Sequence, residues 1–288
     1  MSDRFKVACV QVNSGADVAA NVEAATVLIR AAREAGADFI TLPEVVNLLE
    51  NSRRIMLEKS VAEEQDQALA AFRALARETG AWLLIGSLAI RLGPATLANR
   101  SYLLDNAGAI VARYDKIHMF DVDLPGGKSY RESTLYRPGG RAVVAETPWG
   151  RLGMSVCYDL RFPYLYRALA HAGATMLSIP SAFTKFTGKA HWHVLLRARA
   201  IETACFVIAP AQCGRHSGDR KTYGHSLVVD PWGEVLADGG AAPGFVVAEI
   251  DPAKVDEARR MVPSLRHDRS FEPPALAPDE RRIAEAGE

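Results

Sequence analysis

Cys157 ends the apolar stretch Leu152–Val156 and precedes Tyr158-Asp159-Leu160-Arg161-Phe162-Pro163, a turn that leads into helical spacing. A thiol at a strand end ahead of a helix N-terminus is reachable from one side, and the helix dipole lends it thiolate character. Such a sulfur attacks a carbonyl carbon if a base takes its proton and a donor receives the charge on oxygen. Glu44 closes Leu42-Pro43-Glu44 behind a buried-strand pattern. Its carboxylate therefore stands at a strand's C-terminal end, where α/β sheets bind ligands. Lys116 follows the strand pattern ending at Tyr114, at the mouth of a long Pro- and Gly-rich stretch from Asp115 to Arg141. Each residue alone has an ordinary reading too. A lone cysteine is commonly buried core, and a Glu or Lys at such a place is commonly a solvated charge. Cys9 and Cys205, in or beside apolar strands, and Cys213, in a polar loop, fit the ordinary reading.

Other chemistries lack their patterns. There is no G-x-S-x-G, since Gly153-Met154-Ser155-Val156-Cys157 fails at its last position, and no S-x-x-K. No G-x-G-x-x-G dinucleotide fingerprint occurs. C-x-x-C and H-E-x-x-H are absent, and His191 and His193, two apart on a helix, face different ways and cannot share an ion. No metal and no cofactor is expected. The 34 Lys and Arg residues cancel the 34 Asp and Glu residues, which argues against a nucleic-acid partner. No apolar run approaches the ~18 residues of a membrane span, and MSDRFKVACVQV does not read as a signal peptide. Four cysteines in 288 residues are too few for a disulfide scaffold. A cytoplasmic protein with free thiols is expected, with a small-molecule partner and neither nucleic acid nor membrane.

The elements that must position these residues alternate between strand and helix. Strand patterns cover Lys6–Val10, Asp38–Leu42, Trp82–Ile85, Arg100–Leu104, Ile110–Tyr114, Leu152–Val156, Thr175–Ile179 and Phe206–Ala209, with a hairpin at Ser226–Asp230 and Glu234–Ala237. Helical spacing covers Val18–Ala35, Ala62–Thr79, Phe162–His171 and Ala190–Thr203. The two halves echo each other in order. Gly36–Pro43 matches Gly173–Pro180, Arg73–Ile85 matches Arg197–Ala209, and the hairpin Ser101–Gly108 matches Ser226–Gly233. Duplication of one unit implies two sheets packed face to face with helices on both outer faces, a four-layer α-β-β-α sandwich with an internal pseudo-twofold axis. The alternative is a doubly wound open sheet with accidental echoes. A single domain over residues 1–268 is expected, with a tail over 269–288 that wraps a surface or reaches a subunit contact.

At these residues the chain resembles the nitrilase-like carbon–nitrogen hydrolases over nearly its whole length. The resemblance rests on Leu42-Pro43-Glu44, on Tyr114-Asp115-Lys116-Ile117-His118-Met119-Phe120-Asp121-Val122-Asp123 and on Cys157-Tyr158-Asp159-Leu160-Arg161-Phe162-Pro163. It implies the same sandwich fold and a Glu–Lys–Cys triad of Glu44, Lys116 and Cys157, with Glu132 as a second site glutamate. The segments Phe183–Trp192, Arg197–Glu202 and Tyr223-Gly224-His225-Ser226 look like those of the small-amidase branch that acts on deaminated glutathione. The ω-amidases of α-ketoglutaramate and α-ketosuccinamate are near neighbours. The resemblance thus implies hydrolysis of a small linear anionic amide to carboxylate and ammonia through a thioester on Cys157, without a cofactor. The Tyr158 N–H would join Lys116 at the oxyanion. Arg161, Thr184, Lys185 and Arg215 are candidates for the substrate carboxylate, Arg161 having a structural pairing with Asp159 as its other reading. A homodimer or larger homo-oligomer is expected. The alternative of another class is a non-catalytic interaction module that keeps the fold. Tyr164 departs from the pattern, because the family commonly has Glu there.

Overall fold

The computed structural model describes residues 4–125 and 128–273. Most of the expected tail, from residue 274 onward, lies outside the described residues. The first half runs β1 (Phe5–Gln11), α1 (Val18–Glu34), β2 (Phe39–Thr41), α2 (Arg53–Lys59), α3 (Gln67–Thr79), β3 (Trp82–Gly93), β4 (Thr96–Leu104) and β5 (Ile110–Asp115). A small hairpin of β6 (Asp121–Leu124) and β7 (Lys128–Arg131) follows. The second half runs β8 (Val143–Thr147), β9 (Gly150–Met154), α4 (Pro163–His171), β10 (Met176–Ser178), α5 (Lys185–Thr203), β11 (Phe206–Ala209), β12 (Cys213–Arg215), β13 (Lys221–Tyr223), β14 (Leu227–Val229) and β15 (Val235–Asp238). Then β16 (Gly244–Ile250) returns to the first half, and α6 (Ala253–Met261) follows.

Among the described residues these strands form two six-stranded sheets, ordered β16-β1-β2-β3-β4-β5 and β8-β9-β10-β11-β14-β15. The orders superpose as two copies of one design: three parallel central strands, one antiparallel strand on one side and an antiparallel pair on the other. Parallel strands buried on both faces read as unbroken apolar runs, as these do. Alternation along the first sheet sends Val7, Cys9, Phe39 and Leu84 into one apolar cluster with the second sheet. Ala8, Val10, Ile40 and Leu83 pack instead with Ile29 of α1 and Phe72 of α3. Leu165 and Leu169 of α4 and Trp192 and Leu196 of α5 cover the second sheet. The four-layer sandwich is the observed fold. No helix among the described residues is long and apolar enough to cross a membrane.

The duplication extends to single hydrogen bonds. Asp105 Oδ1 accepts from the Ala107 and Ala109 N–H groups, as Asp230 Oδ1 does from Trp232 and Glu234. Arg73 Nε donates to Gly108 O at 2.9 Å, and Arg197 Nε to Gly233 O at 2.8 Å. Gly36 and Gly173, after the first helix of each copy, share a left-handed backbone with φ 89° and 91°.

Local chemistry moved several boundaries. The helix expected from Ala62 begins at Gln67, because the Asp66 carboxylate caps the Leu69 N–H and residues 63–65 form a separate 3-10 turn. The helix expected from Ala190 begins at Lys185, capped by Thr184. Cys213, expected in a polar loop, is a buried residue of β12. The stretch from Asp115 to Arg141, read as irregular, holds β6, β7 and a 3-10 turn at Glu132–Thr134.

One close approach fixes where the first sheet delivers its chemistry. At a bulge in β3, a Cβ added to Gly86 would lie 1.9 Å from Leu42 O and 2.5 Å from Pro180 Cβ. Neighbouring Ser87 bonds Pro43 O, Val46 N and Val45 N, so the bulge cradles the chain on both sides of Glu44. Gly86→Ala therefore has to displace the chain at Leu42 and Pro43, at Pro180, or at both. We expect it to lower stability by about 1–3 kcal/mol. Gly93→Ala in the same strand, with open space around it, leaves stability unchanged. Thermal melting of the two variants checks this.

Candidate active site

The parallel strands of both sheets aim their C-terminal ends at one cavity of about 180 Å³. Glu44 follows β2, and the chain turns sharply behind it at Val45, which has φ 45°. Cys157 follows β9 and itself has φ 50°. Positive φ in side-chain-bearing residues, a β-branched one above all, costs about 1–3 kcal/mol each and persists only where surrounding contacts hold it. Here they do. Val45 N–H donates to Ser87 Oγ at 2.8 Å, and Cys157 N–H donates to Pro180 O at 2.9 Å. Lys116 lies just past β5, its N–H on Asn99 O, and Glu132 opens the 3-10 turn after β7.

These four side chains meet. Lys116 Nζ lies 2.9 Å from Glu44 Oε1 and 2.9 and 2.8 Å from the two Glu132 oxygens. The Cys157 thiol lies beside Glu44, close enough for each to shift the ionisation of the other. Glu44 Oε2 accepts the Ala182 N–H at 2.8 Å, so the strand-end loop of one copy fixes the carboxylate of the other. Glu132 Oε2 accepts the Phe120 N–H at 2.6 Å. Asn99 Nδ2 donates to Glu44 and Glu132 at 2.9 and 3.2 Å and spaces the two carboxylates.

A second hub joins the Cys157 loop to the strand that leads to Lys116. Asp159 is fully buried and accepts from Tyr114 Oη at 2.7 Å, His118 N at 3.0 Å and Val156 N at 2.9 Å, with His118 Nδ1 at 2.6 Å. Tyr164, the departure from the family pattern, puts its hydroxyl 2.5 Å from His118 Nε2 and so extends this hub to the surface.

The charges decide the protonation states. Burial opposes ionisation of Glu44, but the Lys116 ammonium, the Cys157 thiol and the Arg220 guanidinium together hold it below its usual value of 4.5. Burial likewise works against the Lys116 ammonium, and the Glu132 and Glu44 carboxylates overcome it, keeping that group well above 10.5. Burial and the Glu44 charge push the Cys157 thiol far up, against the weaker pull of Lys116 and the Ala182 N–H. The thiolate character expected from the helix dipole is thus outweighed: the site rests as thiol, carboxylate and ammonium.

Of the residues considered for binding substrate, Tyr158 and Thr184 line the cavity. Arg161 does not. It stands 5.8 Å from the Tyr158 ring and 5.2 Å from the Phe183 ring, behind the wall, and bonds His191 Nδ1 rather than Asp159. Lys185 is the exposed first residue of α5, and Arg215 is exposed and paired with Asp219, so neither reaches the cavity. Arg220 and Asn99 were missed. Asn99 breaks a buried apolar run, which is a legible signal. Arg220 lies in a polar turn that signals nothing. Its Nη2 donates to Ala182 O at 3.1 Å, and its buried Nε has no partner among the described residues.

Residues 6–260 match the carbon–nitrogen hydrolase domain. The chain belongs to the carbon–nitrogen hydrolase family. It is 40% identical over 268 residues to a protein of Synechocystis sp. named deaminated glutathione amidase, covering 91% of this chain and 97% of that one. The crystal structure of the Caenorhabditis elegans NitFhit protein superposes with a TM-score of 0.88 at 39% identity, covering 93% of this chain and 66% of the other. Saccharomyces cerevisiae Nit3, a member of branch 10 of the nitrilase superfamily, gives a TM-score of 0.82 at 28% identity, covering 91% and 96%. This carbon–nitrogen hydrolase acts on amides other than peptide bonds.

The resting thiol is directly measurable. A cysteine whose pKa is raised carries less thiolate at neutral pH than a free cysteine does. The difference in thiolate absorbance between wild type and Cys157→Ser should stay flat from about pH 5 to pH 9 and rise only above that. A step at or below neutral would mean a preformed thiolate.

Proposed function

We propose that Cys157 is the nucleophile of an amidase acting on small linear anionic amides, with Glu44 as general base and acid. Glu44 takes the sulfur-bound proton as Sγ bonds to the carbonyl carbon and the C–O π electrons move to oxygen. The Lys116 ammonium and the Tyr158 N–H, which has no acceptor among the described residues, receive the oxyanion. The Lys116 ammonium donates to three carboxylate oxygens, one of Glu44 and two of Glu132. Protonating Glu44 weakens one of those bonds, so an ammonium N–H is released as the oxyanion forms. That is binding that strengthens in the transition state. One such donor contributes roughly 3–4 kcal/mol. As the carbonyl reforms, the C–N bond breaks and Glu44 returns the proton to the leaving nitrogen. Water then attacks the thioester, giving one proton to Glu44. The C–S bond breaks, and that proton goes back to sulfur. Glu132 holds Lys116 in line throughout.

Arg220 carries the substrate reading. Its guanidinium lies inside the cavity, near enough to Glu44 to lower its pKa, with the buried Nε unpaired. A buried donor without a partner calls for an acceptor from the ligand, and a carboxylate fits a guanidinium best. Exposed Asn51, Arg53 and Arg131 also line the cavity and stand on its solvent side. They can receive a polar leaving group that carries a second carboxylate. Deaminated glutathione has both features: an α-keto carboxylate on the acyl side and a cysteinylglycine leaving group. Its scissile amide is secondary, so the amine product is a dipeptide and not the ammonia expected from sequence. Formation of 2-oxoglutarate is therefore the appropriate assay. A homodimer or larger homo-oligomer belongs to the same proposal and is supported by exposed Tyr164 and Phe186 at the starts of α4 and α5.

Cys157→Ala should abolish turnover with the circular dichroism spectrum unchanged. Arg220→Ala should raise KM for α-keto-acid amides by roughly 10- to 150-fold, the worth of a hydrogen bond to a charged group, while a neutral aliphatic amide is little affected. Turnover surviving in Cys157→Ala refutes the mechanism. A higher kcat/KM for α-ketoglutaramate than for deaminated glutathione moves the substrate to the ω-amides.

A further inference from the structure

Away from the cavity, three donor side chains from three elements of the second half converge. His193 comes from α5, His225 from the turn before β14, and Asp238 from the last position of β15. None of them lines the cavity. His193 Nε2 lies 3.0 Å from Asp238 Oδ2, and His225 Nδ1 lies 2.9 Å from Asp238 Oδ1. All three donor atoms lie within 4.8 Å of one another. We propose that His193, His225 and Asp238 bind one divalent transition-metal ion of the zinc, nickel or copper type.

The donor set selects that class. Two imidazole nitrogens and one carboxylate oxygen suit these ions, whereas magnesium and calcium take oxygen ligands. Three protein ligands leave a fourth position for water. The geometry needs little adjustment, since donors around a tetrahedral ion with bonds of about 2.0–2.1 Å stand roughly 3.4 Å apart. In the metal-free protein each imidazole N–H donates to Asp238. Binding exchanges those two N–H contacts for two N–metal bonds, and each ring keeps its proton on the other nitrogen.

The donors are also fixed in advance. His225 sits in a left-handed conformation, φ 56°, with its N–H on Gly240 O at 2.5 Å and its carbonyl on Trp192 Nε1 at 2.8 Å. Trp192 precedes His193, so this bond sets the spacing between the two histidines. The Tyr223 ring stacks on His225 at 4.3 Å, and His193 meets both rings edge-on. The Gly240 N–H holds Asp238 Oδ1 at 2.9 Å. Surroundings that orient ligands in this way are what metal sites require. All three side chains are part-exposed, so an ion can enter from solvent. The sequence pair His191 and His193 cannot share an ion. His193 instead finds its partners on other elements. Such an ion would tie α5 to the β14–β15 hairpin, independently of any amide chemistry.

The test uses the full chain, stripped with chelator, in a Cys157→Ser background that removes the active-site thiol as a competing ligand. Zinc is titrated against a chromophoric chelator, and cobalt(II) reports the ligand field. We expect one equivalent bound at micromolar concentration or tighter, a visible cobalt spectrum of tetrahedral or five-coordinate type, and a zinc-dependent rise in melting temperature. His193→Gln, on a helix surface and checked for folding by circular dichroism, should weaken binding by at least about tenfold. It should also abolish the thermal shift. Asp238→Asn should do the same. Absence of binding below millimolar zinc, or equal affinity in His193→Gln, overturns the proposal.

Discussion

A buried ammonium between two buried carboxylates is the constraint on which the rest of this molecule turns. Lys116 and Glu44 are almost wholly withdrawn from solvent, and Glu132 nearly so. Desolvating such groups costs several kcal/mol per ion, which close pairing only just returns. The cluster is therefore weak evidence of stabilisation and strong evidence of placement. Its bookkeeping also sets the sulfur. Two carboxylates against one ammonium leave a unit of negative charge, which the Arg220 guanidinium near Glu44 offsets. The sum is neutral only while Cys157 keeps its proton. Ionising the sulfur ahead of substrate would put a third anion beside two others.

Holding such a cluster demands a frame that does not yield. The frame is two sheets whose parallel strands end at the same place, each supplying loops that the other needs. Glu44 comes from the first sheet, but the N–H that fixes its second oxygen is that of Ala182 from the second. Gln212 Nε2, also from the second half, donates to Glu44 O and to Ser14 Oγ, while its Oε1 accepts the Ser14 N–H. Backbone strain at Val45 and at Cys157 lies within this ring of bonds. Strained residues at a strand end aim side chains across the cavity rather than along the strand, and the surrounding contacts hold that geometry.

Much of this was legible because it is carried by local pattern. Apolar runs closed by Pro43 and Pro180 mark the central strands, and the echo between Gly36–Pro43 and Gly173–Pro180 gives the two-copy design. Boundaries were less legible wherever a single polar side chain decides them, as Asp66 and Thr184 do. The strands β8 and β16 were missed for different reasons: β8 is a half-buried edge strand in a tight hairpin with β9, and β16 pairs long-range with β1, at the opposite end of the chain. The inward-turned guanidinium of Arg220 could not be read at all. Arg161, Lys185 and Arg215 have the same charge and comparable neighbourhoods, and only packing decides that the first lies behind an aromatic wall, the others face solvent, and Arg220 turns inward.

The duplication makes the chemistry easier to locate, because symmetry predicts what the scaffold alone requires. Where the copies agree, the shared residue serves the frame: Asp105 and Asp230 build the same turn, and Arg73 and Arg197 brace it. Where they differ, the frame is satisfied by either residue and the difference has another cause. Ser181 occupies in the second copy the place of Glu44 in the first, and its hydroxyl is content with Ile179 O. A serine there is compatible with the fold, so folding does not demand the carboxylate at position 44, with its desolvation cost and its dependence on Lys116. A group that costs energy to bury, that its own duplicate does without, and that three other elements are arranged to receive stands apart from the frame that carries it.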